Sequence, residues 1–508
     1  MVPMSVAEVA QAVGGRLIGG DGLGKPATSA LSDSRQVCEG SVFVAIKGER
    51  VDGHDFVAGL ADRGAVAAIV DHEVPDAGLP QVVVENTVAA LGQLAKHNIA
   101  RRRAMDGDFD IIGLTGSVGK TTTKDLLAAL LGTLGSTVAP VGSFNNEIGL
   151  PLTALKVNEA TRFFVAEMGA NHLGEIAGLT RIAPPDTAVV LKVGVAHLGE
   201  FGSRERIAQA KSEIVTGLVP TGTAVLNADD EHIVPMAALA PADVLWFGLE
   251  GTSETGEQAA NANKVYADHI DADSADHARF TLHTPDGAAV PVHLGIPGRH
   301  NTMNALAAAT VAWHYGMKTE AIAAGLSAQR TISPHRMAIS TVERDSACFT
   351  LIDDSFNANP DSMKAGLDGL KAWRPADNGT PWRIAVLGGM LELGGDESEL
   401  HRQVGAYAAS LDLDAIIAVG SAADQHLDEL AQALAEGAEG TGGSERTAGS
   451  GTQGSGSCDT LVSWVHGTDQ ADALVTRLAK EHGDCVVLLK GSHASGLSAL
   501  AQCWTTKN

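Results

Sequence analysis

At 508 residues, 44% hydrophobic and 19% charged, the chain is too long for one hydrophobic core and calls for about three domains. Its 36 Lys and Arg face 61 Asp and Glu, a formal charge of −25, which argues against nucleic acid or anionic lipid as partners and requires local positive features to hold any anionic ligand. Five scattered cysteines without a C-x-x-C pair argue against a disulfide framework or zinc cluster, no apolar run reaches the roughly 18 residues of a membrane span, and residues 1–15 lack a leader pattern, so a cytoplasmic location is expected.

In chain order, residues 1–105 mix short β-branched runs (42–46, 67–70, 82–84) with helical stretches and read as a small N-terminal α/β domain. A helix over 88–103 ends in Arg101-Arg102-Arg103, a charge run that reads as a solvated helix end. The polar link Asp106-Gly107-Asp108 opens a central domain, 106–330, with apolar strands at 111–114, 163–166, 188–193 and 224–226. A helix is expected at 204–218, a polar insertion at 251–263 and a closing Ala-rich helix at 301–313. Strand–helix alternation of this kind makes a mainly parallel sheet covered on both faces. After Ser333-Pro334 the alternation restarts, with strands at 349–352, 384–387, 415–419 and 486–489, giving a C-terminal Rossmann-like domain, 331–508. Its Gly/Ser/Thr-rich stretch 437–457 reads as a mobile surface insertion.

The strongest local signal is Thr115-Gly116-Ser117-Val118-Gly119-Lys120-Thr121-Thr122, between the strand 111–114 and a helical run at 123–134. Glycines let the backbone curl round phosphates, the helix N-terminus aims N–H groups at them, Lys supplies a point charge and the Thr hydroxyl suits Mg²⁺. Leu114 stands where the usual P-loop has its first Gly.

A P-loop says only that a nucleotide binds. Downstream come Ser143-Phe144-Asn145-Asn146-Glu147-Ile148-Gly149-Leu150-Pro151, then Glu167-Met168-Gly169-Ala170-Asn171-His172, then Ala196-His197-Leu198, then Lys211 on a helix. Glu167 and His197 each follow an apolar strand, where open α/β sheets bind ligands. Taken singly, each has a bland reading: a cap, a loop histidine, a solvated lysine. Their order after one P-loop is what gives them weight.

Those strings, in that order, resemble the Mur ligases, a family of ATP-dependent amide ligases. Further marks are Ile352-Asp353-Asp354-Ser355-Phe356-Asn357-Ala358-Asn359-Pro360-Asp361-Ser362 and Met390-Leu391-Glu392-Leu393-Gly394, with Asp33-Ser34-Arg35 and Asp52-Gly53-His54-Asp55-Phe56 in the first domain. A D-N-P-R motif, typical of the members that add the third peptide residue, is missing from the sequence. The resemblance spans nearly the whole chain outside 251–263 and 437–457. It implies an enzyme that adds D-alanyl-D-alanine to a UDP-linked muramoyl tripeptide during peptidoglycan synthesis, acting as a monomer. Lys120 and the P-loop amides would hold the ATP phosphates. Thr121 and Glu167 would bind one Mg²⁺ and His197 a second. Lys211 matches a lysine that is carbamylated in many members, which turns a cation into a metal-binding carboxylate. Asn301 and Asn357 match nucleotide-contacting positions, and Arg336 and Asp353 match residues that approach ATP on closure. Ser34 and Arg35 match the region that holds the uridine diphosphate end, and Asn145 and Asn146 the substrate side. Gly389, where the family usually has Asp, and Lys490-Gly491-Ser492-His493, without the usual Arg, depart from the pattern.

The implied chemistry passes the γ-phosphoryl of ATP to a carboxylate, and the dipeptide amine then attacks the acyl phosphate. Two like charges 4 Å apart repel by roughly 4 kcal/mol at an effective dielectric near 20, so countercharge is the main requirement. No residue stands out as a base for the amine. Two rivals are a P-loop switch, with 349–354 as its acidic strand, and a folylpolyglutamate-synthase-like ligase. The long separation of Asp353 from Lys120 disfavours the first, and the D-S-R and N-A-N-P strings disfavour the second.

Overall fold

The computed structural model describes residues 1–19, 24–48, 51–194, 198–250, 263–330, 332–374, 379–440 and 460–506. Among them are three sheets of five, nine and six strands, the α/β architecture expected. In the first sheet the order is Arg16–Ile18, Gln81–Val83, Ala65–Val70, Ser41–Val44, Ser29–Leu31, with only the first pair antiparallel. Ala65–Val70 is buried at every position, which is why it reads as an unbroken apolar run.

Helix Thr87–Arg103 starts where the Asn86 side chain accepts the Ala89 N–H. Its Asn98 is buried against the second unit, donating to Ala154 O and Val157 O at 3.0 and 2.9 Å while accepting the Val2 N–H at 2.9 Å. The arginine run at its end differs from the expected solvated tip. Arg102 is buried and donates to Thr161 O and Asp108 O, and Arg103 pairs with Asp186 at 2.7 Å. Loop carbonyls ahead of two central strands supply the partners that water would otherwise give.

In the central sheet the P-loop strand Asp110–Thr115 lies between Phe163–Glu167 and Thr187–Val190, parallel to both. Thr223–Asn227, Val244–Leu249 and Lys264–Ala272 extend it in parallel, and His277–His283 and Ala289–Pro297 add two antiparallel strands that the sequence reading lacked. Helix Asn301–His314 is followed by a second helix, Thr319–Ala328, which closes the unit in its place. Alanines 305, 308, 309 and 312 are fully buried, and their small side chains let the helix lie close to the sheet.

The third sheet runs Ala338–Arg344, Ala347–Asp354, Cys485–Lys490, Trp382–Gly388, Ala415–Val419, Leu461–Val465, parallel except for its first pair. Helix Gln425–Gly440 runs into the expected insertion, whose remainder, 441–457, lies outside the described residues, as does most of the stretch 251–263.

Candidate active site

The strand Asp110–Thr115 ends in the loop 116–119, and the helix Lys120–Leu131 starts directly after it, three residues earlier than expected. Gly119 sits at a φ of +84°, a conformation that disfavours any Cβ, and one placed there would overlap the Asn304 side chain. The loop is pinned to the neighbouring strand's end: Ser117 N donates to Lys192 O at 2.8 Å, and Ser117 Oγ accepts the Gly194 N–H at 2.9 Å. Lys120 folds back so that Nζ donates to Gly116 O at 2.8 Å. Its ammonium pKa is lowered by burial, against the pull of Glu167 and with the push of Arg336.

One strand away, Glu167 closes Phe163–Glu167 and is 1% exposed. Its Oε1 accepts from Asn145 Nδ2 at 2.9 Å and lies 3.4 Å from Thr121 Oγ1. Thr121 Oγ1 is 3.1 Å from Ser143 Oγ, and the Arg336 guanidinium reaches both hydroxyls at 3.4 Å. The other carboxylate oxygen, Oε2, is buried and finds no hydrogen-bond partner among the described residues. A buried carboxylate with one oxygen unpartnered and the other close to a hydroxyl is a hard-oxygen set that suits Mg²⁺. Lys211, on helix Arg204–Thr216, is buried on the same cleft. Burial, and then the charge of Lys120, lower its pKa to about 7. His197 lies outside the described residues.

The cleft is a cavity of about 740 Å³ lined from two units. Ser117 to Thr122, Asn145, Asn146, Glu167, Lys211 and Asn301 line it from the central unit, and Arg336, Asp354, Phe356, Asn357 and Lys490 from the C-terminal one. Arg336 stacks over the Phe356 ring at 4.7 Å. Lys490, fully buried, is ion-paired with Asp354 and 3.4 Å from Asn357 O. The units meet where Gly199 N donates to Leu393 O at 2.7 Å, and Gly199 and Gly394 come so close that a Cβ on either would overlap the other's backbone.

Several expected residues lie outside the cavity or line it with their polar atoms already engaged. Thr115 and Gly116 are outside the cavity lining, although Gly116 O holds Lys120. Asp353 is also outside it: its carboxylate takes the Ser355 Oγ–H at 2.6 Å and lies 2.7 Å from His335 Nδ1, while its neighbour Asp354 faces the cleft. Asn301 lines the cavity with its amide already engaged, Nδ2 donating to Pro297 O and Oδ1 accepting from Asn304, both at 2.7 Å. Asn146 Oδ1 accepts the Gly149 N–H at 2.9 Å and shapes the turn. Ser34 and Arg35 are on the first unit, outside the cavity, with Arg35 paired to Asp33 at 2.9 Å. Ser143, Asp354 and Lys490 were not singled out as site residues, although the quoted strings contain all three.

A P-loop opening onto a cavity that a second α/β unit completes defines the class of ATP-utilising enzymes built from paired α/β domains. Three family models match: the Mur ligase family catalytic domain over 30–98, the Mur ligase middle domain over 114–312 and the Mur ligase glutamate ligase domain over 335–493. The UDP-N-acetylmuramoyl-tripeptide–D-alanyl-D-alanine ligase of Mycobacterium tuberculosis is 40% identical, over 99% of this chain and 97% of its own. MurF from Acinetobacter baumannii superposes with a TM-score of 0.79 at 32% identity, covering 99% of each chain. MurF ligase from Thermotoga maritima, in complex with ADP, gives 0.70 at 26% identity over 94% of this chain and 97% of its own. The chain belongs to the Mur ligase family.

Proposed function

We propose that this ligase joins D-alanyl-D-alanine to UDP-N-acetylmuramoyl-tripeptide, with conversion of ATP to ADP and phosphate, as a cytoplasmic, monomeric enzyme of peptidoglycan synthesis. The observation that carries the reading is the gathering of Lys120, Glu167 with its unpartnered oxygen, and Lys211 on one cavity that the C-terminal unit completes. The relatives that match along the chain's full length carry the same activity in their names.

In this reading the loop N–H groups and Lys120 bind the triphosphate. Thr121 and Glu167 would hold one Mg²⁺, and His197 with carbamylated Lys211 a second. When bound, these ions supply countercharge to the phosphates and the approaching carboxylate. Lys211 supports its part because an amine with a pKa of about 7 is substantially neutral at pH 7 and able to take up CO₂. Arg336, reaching the Thr121 and Ser143 hydroxyls from the C-terminal unit, couples closure to the phosphate side of the cleft. Asn145 holds Glu167 and so links the S-F-N-N-E string to the metal side. Exclusion of water by the closed units protects the acyl phosphate, and orientation of the dipeptide amine supplies the rest of the rate.

The test is phosphate release by the purified chain with Mg-ATP and UDP-N-acetylmuramoyl-tripeptide, with and without D-alanyl-D-alanine. Release that needs the dipeptide, with a matching mass gain in the nucleotide product, is the expected result. Release without the dipeptide would overturn the ligase reading in favour of a hydrolase.

A further inference from the structure

Away from the cleft, the strands at the far edge of the central sheet bring two histidines onto one carboxylate. Asp273 follows the strand Lys264–Ala272, His277 opens the next strand and His293 lies in the third. Asp273 Oδ1 is 3.3 Å from His277 Nδ1, and Oδ2 is 2.9 Å from His293 Nε2. The three residues' ligand atoms lie within 4.8 Å of one another, and the two rings meet edge to face with centroids 6.0 Å apart. A second group, His54, Asp71 and His72, is equally compact. There, however, both nitrogens of the buried ring are engaged: His54 Nδ1 lies 2.6 Å from Asp52, and Nε2 accepts the Asp71 N–H at 3.1 Å.

We infer that Asp273, His277 and His293 form a binding site for a divalent transition metal of the zinc type, separate from the catalytic centre. Imidazole nitrogen and carboxylate oxygen are among zinc's ordinary ligands, at bonds of about 2.0–2.2 Å. Neighbouring ligands around a tetrahedral ion then stand roughly 3.3 Å apart, close to the two carboxylate–imidazole separations of 3.3 and 2.9 Å here. Mg²⁺ prefers an all-oxygen shell and disfavours a site with two imidazoles. His293 is 55% exposed, so the ion has a route in and water has access to the fourth position. Binding exchanges two imidazole–carboxylate hydrogen bonds for coordinate bonds. The turn itself is already shaped, because Asp273 Oδ1 accepts the N–H groups of Ala275 and His277 at 2.9 Å each.

The position gives the ion something to do. Ser274 O accepts the Arg374 N–H of the C-terminal unit at 2.7 Å, and Asp276 O accepts the Gly298 N–H at 2.8 Å, three residues before Asn301 in the cleft. A metal bridging the turn 273–277 to the strand Ala289–Pro297 therefore braces the platform shared by the nucleotide cleft and the contact between units. It stabilises the fold and supplies no catalytic group.

The metal site is independent of the ligase activity, and its occupancy is tested without an activity assay. The whole chain is stripped with chelator, its cleft is saturated with Mg-ADP, and Zn²⁺ is added in a calorimetric titration. Co²⁺ absorption provides a second readout of tetrahedral coordination. One Zn²⁺ per chain is expected, with a rise in melting temperature. H293Q alters an exposed ring and should weaken binding at least about tenfold, with loss of the Co²⁺ spectrum. H277Q should do the same, and H72Q should leave both signals unchanged. Absence of saturable one-to-one binding, wild-type affinity in H293Q, or loss of binding in H72Q would overturn the site.

Discussion

Lys211 provides the sharpest test, because one substitution moves stability and activity in opposite directions. Its side chain is buried and its pKa falls from 10.5 to about 7. At pH 7 about half the amine is then neutral, against roughly one in 3,000 for an ordinary lysine, so nucleophilic amine is about a thousandfold more abundant. Attack on CO₂ forms an N–C bond and releases one proton, leaving a carbamate anion. The Lys120 charge that repels the ammonium attracts that carbamate, so one neighbour favours both steps.

The sign for stability follows from the same shift. The unfolded lysine titrates near 10.5 and the folded one near 7, so between these values the unfolded chain holds more protons and stability from this site rises with pH. Below pH 7 the full cost of burying the ammonium applies, on the order of 5 kcal/mol. In CO₂-free buffer at pH 6, Lys211→Met should therefore melt above the wild type, while its kcat at pH 8 falls by about 10²–10³. Activity of the wild type should decline in CO₂-depleted buffer and return with bicarbonate, with a labelled carbamate carbon visible by NMR. Wild-type kcat in the Met variant, or full activity without any carbamate signal, would refute the reasoning.

Three other substitutions probe the rest of the cleft. Glu167→Gln keeps the oxygen that Asn145 contacts and removes the unpartnered charge. We expect a kcat loss of about 10²–10³ with no fall in melting temperature in metal-free buffer, and an Mg²⁺-induced rise in the wild type only; equal Mg²⁺ responses would contradict the metal assignment. Gly394→Ala puts a Cβ at a φ of +62° and into the Gly199 backbone. The conformation alone costs about 1–2 kcal/mol, and the units should stand further apart by small-angle scattering, with kcat/KM reduced; an unchanged kcat/KM would show that this contact is dispensable. Lys490→Met leaves the partly buried Asp354 without its partner and should cost about 1–3 kcal/mol by denaturant unfolding, while the double variant with Asp354→Leu recovers much of it.

The parts of the site legible in the sequence are those where strand order dictates position. The P-loop strand and Phe163–Glu167 are neighbours in a parallel sheet, so Lys120 and Glu167 meet at the same edge of it. The fully buried strands were legible for the same reason, as apolar runs between helices. The last two strands of the central sheet mix buried with half-buried and exposed positions and carry His, Arg and Pro, which hides them among polar loops. Asp353 and Asp354 show a different limit. Successive strand residues point to opposite faces, and a motif quoting both does not say which one meets the ligand.

Charge makes the same point from the other direction. A chain of net charge −25 that binds a triphosphate must concentrate its few cations, and the sequence reading could state that requirement without locating the cluster. The fold meets it with Lys120, Lys192 and Lys211 from the central unit and Arg336 and Lys490 from the C-terminal unit. Lys490 is neutralised by Asp354, and the pKa of Lys211 is lowered to about 7. Lys120 and Lys192 on one side of the cleft and Arg336 on the other then remain to meet the phosphates. The field that attracts ATP is therefore assembled from both units, with Arg336 reaching the P-loop helix from the C-terminal side.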